Sequence, residues 1–305
     1  MIHLDRSEFW SEVFTTHGSV SPNIKWRIVA FGVFAAVVWA VGAYTDWIPT
    51  SCVAPYEIIG VVLALLLVLR TNSGYDRWYE GRKLWGGIVN QSRNLAQIGL
   101  TYGPHNGAWR EPFMRWTAAF SHACRHSLRG EKDLSDMRNL LGRTDLEELA
   151  AAQHMPMLVA NRLAGLLRKA LDEYDFDRFA FMQAEQQRNQ LIDHVGACER
   201  IMKTPLAKAF SVKIRKFLFL YLVALPFGLF DKAGLMTPII VMLVAYPLLS
   251  LDQIGIELQN PFSAKRLSHL PLNEICMTIQ DNIMALNDED DAHKVLMEKR
   301  AEVAA

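Results

Sequence analysis

The sequence predicts an all-α membrane protein with four membrane helices and a large cytosolic helical region, and three observations lead there. Four runs without a charged residue, 28–45, 58–69, 217–230 and 233–251, are long and apolar enough to be membrane helices or to line the inside of a helix bundle. Between the second and third runs lies a polar stretch, 71–212, whose apolar residues recur at helical spacing. Basic residues gather on one side of the runs, which orients them.

Composition narrows the function classes. Of 305 residues 51% are hydrophobic, and the formal net charge is zero. A nucleic-acid binder working through phosphates would carry a basic excess. A mean hydropathy of +0.08 is low for a chain lying wholly in a membrane and fits membrane helices joined to a substantial soluble part. The four cysteines, Cys52, Cys124, Cys198 and Cys276, form no CxxC pair, and the expected topology puts only Cys52 on the outer side of the membrane, so no intrachain disulfide is expected. Asp5, Glu8 and Glu12 precede any apolar run, which is not the pattern of a signal peptide. No internal repeat or low-complexity tract is visible.

In chain order, residues 1–24 read as a short amphipathic helix carrying Phe9, Trp10, Val13 and Phe14, lying on the protein or at the membrane interface. The first membrane helix is expected over 24–47, with Trp39, Tyr44 and Trp47 at the level of an outer aromatic belt. The second covers 55–70 and continues as a helix to about residue 100. Its apolar part, twelve residues at 1.5 Å each, reaches only about 18 Å against a hydrocarbon core of roughly 30 Å, so it makes sense inside a bundle, lining an axis. Residues 71–212 read as mainly cytosolic helices. A stripe of Phe113, Trp116, Ala119, Phe120 and Ala123 marks one; Leu146 to Ala152, capped by Thr144, marks a short one; 157–171 and a long polar helix over 176–201 follow. That last helix suits packing between subunits. The third and fourth membrane helices are expected over 213–230, kinked near Pro226, and 233–256, with Pro238 and Pro247 inside; neighbouring helices satisfy the carbonyls proline frees. Residues 257–305 form a cytosolic segment with one short helix, 272–286, before an acidic tail.

Lys25, Arg27, Arg70, Arg77, Arg82, Lys83, Lys213, Arg215, Lys216, Lys265 and Arg266 flank the four runs on one side, whereas the outer loops carry only Lys232. Both termini and the middle of the chain are therefore expected in the cytosol.

The stretch PYEIIGVVLALLLVLRTNSGYDRWYEGRKLWG, residues 55–86, resembles the bestrophins, pentameric ion channels whose second helix lines the pore. The matching features are an apolar neck followed by Arg70, Asn72, Tyr75, Asp76, Arg77, Glu80, Arg82 and Trp85. A second block, GIELQNPF at 255–262 with LPL at 270–272, matches in the same order, so the resemblance covers most of the chain. It implies a single bestrophin-like domain over 1–305, assembled as a homopentamer around one axial pore and passively conducting small monovalent ions.

Glu57, Val61, Leu65 and Leu69 recur every fourth residue and follow one another along one helix face. By resemblance Val61, Leu65 and Leu69 match the three apolar rings of the bestrophin neck, which gates by excluding water; read alone, they are ordinary packing positions. Animal bestrophins carry aromatic side chains at two of these rings, and here all three are aliphatic. Five copies of Glu57 would place carboxylates at the outer mouth, and acidic rings favour cations. Both points lean to cations over the chloride conductance typical of animal members. The other reading of Glu57 is a solvated loop residue. The resemblance also implies a cytosolic aperture near 174–179, assigned to Phe176.

The animal calcium clasp follows the Asn-Pro-Phe turn with acidic residues, but here Ser263, Ala264, Lys265 and Arg266 stand there, and two basic side chains oppose calcium. Asn260-Pro261-Phe262 is read as structural. Arg70, Arg77 and Arg82 are expected to pair with Asp76 and Glu80 along the helix or across subunits, and Tyr75, Trp78, Tyr79 and Trp85 to pack at interfaces. His122 and His126 share a helix face, with no third ligand in sight, and read as a surface pair rather than a metal site. No nucleophile elbow, P-loop or dinucleotide fingerprint is present, so neither an enzyme nor a cofactor is expected. Expected partners are the chain itself, membrane lipids and monovalent ions, not nucleic acid; the expected location is a bacterial inner membrane. The rival readings are a non-conducting membrane scaffold that binds a partner through its cytosolic helices, and a carrier, which usually shows internal repeats.

Overall fold

The structure is a computed structural model that describes residues 15, 18–45 and 53–304, and among these it is helical with no strand. The expected amphipathic helix of Phe9, Trp10, Val13 and Phe14 lies outside the described residues, as do Trp47 and Cys52. The helices are α1 (Ser21–Tyr44), α2 (Ala54–Tyr102), α3 (Gly107–Arg129), α4 (Arg143–Ala151), α5 (Met155–Glu173), α6 (Arg178–Lys203), α7 (Lys208–Ala233), α8 (Thr237–Glu257) and α9 (Leu272–Ala304). They form two compact units, one of residues 1–79 and 205–269, the other of residues 80–204 and 270–305. The chain passes between the units three times: inside α2, between Tyr79 and Glu80, and in the short segments at 204–205 and 269–270.

The first unit holds the apolar runs. Three helical stretches are long and apolar enough to cross a membrane: Ser21–Tyr44, Ala54–Tyr102 and Ala209–Glu257. The last contains both α7 and α8, separated by a 3-10 turn at Gly234–Met236. Neither Pro226 nor Pro247 ends its helix. One face of α2 supplies Leu63 and Leu67 to a core completed by Ile24 of α1, Ile214, Leu218 and Leu222 of α7, and Ala245, Leu248 and Leu249 of α8. Between membrane helices lipid is as apolar as leucine, so it is interdigitation rather than transfer out of water that selects this packing. Small residues permit it: a Cβ on Gly228 of α7 would sit 2.6 Å from the Tyr56 ring of α2.

The second unit is built around α3, which packs against α5, α6 and α9. The sequence predicts one apolar stripe on α3, but the helix is buried nearly all round, including Thr117, Ser121, His122, Arg125 and His126. Its start is fixed by Asn106, whose Oδ1 accepts from the Ala108 N–H at 2.9 Å. Its end is fixed by Gly130 at φ 68°, a left-handed position that costs glycine little, with the Glu131 N–H returning to the His126 carbonyl. Trp109 stacks on Phe113 at 4.7 Å and donates to the Leu166 carbonyl at 2.7 Å, satisfying its one polar atom. Removed from water, each such buried aromatic or aliphatic side chain contributes about 1.5–3 kcal/mol. Cys124, Cys198 and Cys276 are buried free thiols.

Three local expectations change. The residue before the short helix α4 is Gly142, and no side chain caps it; the expected cap, Thr144, lies within the helix. The polar helix begins at Arg178 rather than 176, because the Asp177 Oδ2 accepts from the Ala180 N–H at 2.8 Å and sets the start. The C-terminal helix continues to Ala304 instead of stopping at 286, as the Ala, Glu, Lys, Leu and Met content of its last turns allows.

Candidate functional site: the exposed face of α2

Helix α2 presents two faces. Leu63, Leu67 and Arg70 point into the first unit and are buried. On the opposite side Val61, Leu65 and Leu69 are 71%, 60% and 50% exposed in the single chain. Helical geometry requires this split, since Leu65 lies 200° around the axis from Leu63. The three side chains follow one another at about 6 Å intervals along the axis. Glu57 stands one turn before Val61 on the same side, exposed, in the first turn of the helix, where the partial positive charge of the N-terminus favours a carboxylate. The structure thus brings the four residues singled out in the sequence onto one uncovered face. Neighbouring Ile58, Ile59, Val62 and Val68 are also exposed, so the uncovered apolar surface is wider than a single row.

At the polar end of this segment sits a charge group that i,i+4 spacing does not reveal. Arg70, 1% exposed, forms an ion pair with the 3% exposed Asp252 of α8, and Arg215 of α7 places Nε 3.2 Å from the same carboxylate. The expected partners of Arg70 were Asp76 and Glu80; the observed one is 182 residues away in sequence. Glu80 instead accepts from Arg200 at 2.7 Å, and Arg77 donates through Nε to the Gln259 carbonyl at 3.2 Å. Trp78 donates to the Ser268 carbonyl at 2.7 Å, while Tyr75 and Tyr79 stack with centroids 6.0 Å apart on an exposed face.

The segment after α8 is a folded turn. Asn260 Oδ1 accepts from the Phe262 N–H at 3.1 Å, Phe262 is buried, and Glu257 accepts from Gln253 at 2.8 Å and from the Leu267 N–H at 3.0 Å. Arg266 lies 3.8 Å from Glu257. The Glu257 carboxylate is thus already satisfied from within the chain.

Phe176, assigned to the cytosolic aperture, is 3% exposed and packs against Trp109 with centroids 6.4 Å apart. The cause is local. Asp175 takes a left-handed conformation, φ 56°, and the Phe176 N–H bonds back to the Ala170 carbonyl, folding the ring under the end of α5. A ring held there does not line an aqueous passage. Phe179, in the same stretch, is 80% exposed.

His122 and His126 are not a surface pair. Both are buried and converge with Arg125 on one carboxylate: His122 Nδ1 lies 3.1 Å from Asp136 Oδ2, and His126 Nε2 lies 2.9 Å from Asp136 Oδ1. Glu131 adds a second carboxylate 3.4 Å from His126 Nδ1. Among the described residues no group of three or more His, Cys, Asp or Glu side chains is arranged to hold a metal ion, and the cation that Asp136 meets here is Arg125. Burial opposes the charge of Asp136, but hydrogen bonds from His122, His126 and Arg125 outweigh it and hold the carboxyl far below the usual carboxylate range. A depressed folded value means that this contribution to stability is complete above the unfolded value of about 3.9 and is lost as pH falls below it. Asp136→Asn is expected to destabilise the second unit by about 1–3 kcal/mol at neutral pH and to flatten the acid limb of its melting curve below about pH 4. Thermal melts across pH check this; an unchanged melting temperature at pH 7 would remove the network from the stability of the unit.

Fold and site together define a helical membrane protein with a long helix whose apolar face is left uncovered by its own chain. Residues 1–285 match the family model of bacterial/fungal bestrophin proteins, and the chain belongs to that family. A voltage-dependent anion channel-forming protein of Nostoc sp. is 34% identical over 280 residues, covering 90% of each chain. The voltage-dependent anion channel-forming protein YneE of Escherichia coli K12 is 31% identical over 294 residues, covering 95% of each. A crystal structure of a bacterial bestrophin homolog from Klebsiella pneumoniae superposes with a TM-score of 0.80 at 24% identity, covering 86% of this chain and 97% of that one, which shows the shared fold.

Proposed function

We propose that the protein is a subunit of an ion channel of an inner membrane, with five copies surrounding one axial pore and both termini in the cytosol. The observation that carries this is the row Val61, Leu65, Leu69: aliphatic side chains on a helix of the membrane unit, exposed in the single chain and opposite its packed face. In an assembly around an axis that row becomes three stacked apolar rings, a constriction that passes ions when wet and stops them when dry. The names of the relatives, channel-forming proteins, support the same reading. The stretch Ala209–Glu257 is 49 residues long, far more than one crossing needs, so it is read as two spans meeting at Gly234–Met236, giving four in all. Mass measurement in mild detergent tests the assembly: a pentamer is expected, and a monomer or dimer would contradict a central pore.

Selectivity is proposed to favour cations. The relatives are named for anions, but this chain places no aromatic residue among Val61, Leu65 and Leu69, and sets Glu57 on the same face at the outer end. Aliphatic rings lack the positive edges that aromatic rings offer to anions, and a ring of carboxylates concentrates cations. Glu57→Gln is expected to lower the potassium-to-chloride permeability ratio about two- to fivefold, the effect of roughly 1 kcal/mol of attraction at an exposed mouth. Bi-ionic reversal potentials measure it, and an unchanged ratio would return Glu57 to the role of a solvated helix-start residue. For the cytosolic constriction the exposed Phe179 replaces the buried Phe176.

A further inference from the structure

We propose an anionic-phospholipid site on the membrane unit, between α1, α7 and α8, that holds a phosphate headgroup on Arg27 and Arg215. A cavity of about 300 Å³ opens there. Arg27, Arg215 and Asp252 supply the charged part of its lining. Its walls are Phe31, Leu218 and Phe219, with the rings of Phe31 and Phe219 6.2 Å apart. A second groove shares Arg215 and Phe219 and adds Lys216 and Leu220, extending the same combination of basic head and apolar wall along α7.

The charge balance favours an anion. Asp252 is already paired with the buried Arg70 and approached by Arg215 through Nε, so one carboxylate faces three guanidinium groups once Arg27 is included. Both Arg27 and Arg215 are exposed in the chain, placing charge at the cavity mouth rather than in its floor. The apolar walls exclude a free inorganic anion as the fitting occupant, because phosphate alone leaves Phe31 and Phe219 facing water, whereas a phospholipid covers them with acyl chain. The basic end of the unit is the cytosolic one, where the leaflet carries anionic headgroups and attracts Lys and Arg from the juxtamembrane ends of helices. None of the residues lining the cavity belongs to α2, and the proposal does not depend on conduction.

The test uses the full-length protein in mild detergent with added dioleoylphosphatidylglycerol or dioleoylphosphatidylcholine, read by thermal unfolding and by native mass spectrometry. The glycerol lipid is expected to raise the melting temperature and remain bound, with the choline lipid doing neither. Arg27→Gln, on an exposed side chain, is expected to weaken retention about fivefold, and Arg27→Lys to keep most of it. Equal stabilisation by both lipids, unchanged retention in Arg27→Gln, or the same melting shift from inorganic phosphate without lipid would each overturn the site.

Discussion

Shortening Leu65 to alanine is expected to raise single-channel conductance or open probability, on the order of tenfold. Leu65 is the middle of the three residues on the uncovered face of α2, and in an assembly every copy loses the same bulk at the same level. The proposed constriction would widen and its surface hold water more readily, so the cost of wetting would fall. Lowering that barrier by only ~1.4 kcal/mol is already a tenfold change in rate. The side chain is 60% exposed in the single chain, so the variant is expected to fold and assemble as the wild type does. Single-channel recording of Leu65→Ala in planar bilayers reads the effect. No change in conductance or open probability would mean that another face of α2 lines the passage. Leu63→Ala is the contrast: it removes a packed side chain and is expected to lower stability without opening the neck.

Asp252→Asn is expected to destabilise the membrane unit by about 3–5 kcal/mol, the usual cost of leaving one partner of a buried ion pair alone. Arg70 is the partner that is stranded, since it has no exposure through which to recover water, while Arg215 is about half exposed and does. Thermal unfolding in detergent and the yield of folded protein report the loss. Replacing both partners, Arg70→Leu with Asp252→Val, is expected to recover most of it, because two apolar side chains of roughly matching volume need no compensating charge. A single variant as stable as the wild type would show that the pair is not held out of water in the assembled protein.

What the sequence made legible follows from what spacing can encode. The fourfold spacing of Glu57, Val61, Leu65 and Leu69 located one face of α2, and the charge-free runs located the membrane unit, because helical period and hydrophobic length are local properties. Arg70 shows the limit: its local neighbours Asp76 and Glu80 were plausible partners by spacing, but only the packing of α2 against α8 selects Asp252. The His122 and His126 spacing was read correctly as one face, yet burial of α3 on every side and the return of Asp136 onto it are tertiary facts. The burial of Phe176, assigned by resemblance to the aperture, has a local cause: Asp175 turns left-handed at the end of α5 and the Phe176 N–H bonds back to the Ala170 carbonyl. The continuation of α9 past 286 was masked by its acidic composition, which reads as solvated whether or not the backbone is helical.

The most direct test of conduction through an aliphatic, acid-mouthed neck is the reversal potential of the purified protein in a planar bilayer under a KCl gradient. A potential near the potassium limit is the result expected from Glu57 and from the rings of Val61, Leu65 and Leu69. A potential near the chloride limit would contradict the proposed selectivity, and absence of current from well-folded pentamers would contradict the open passive pore itself.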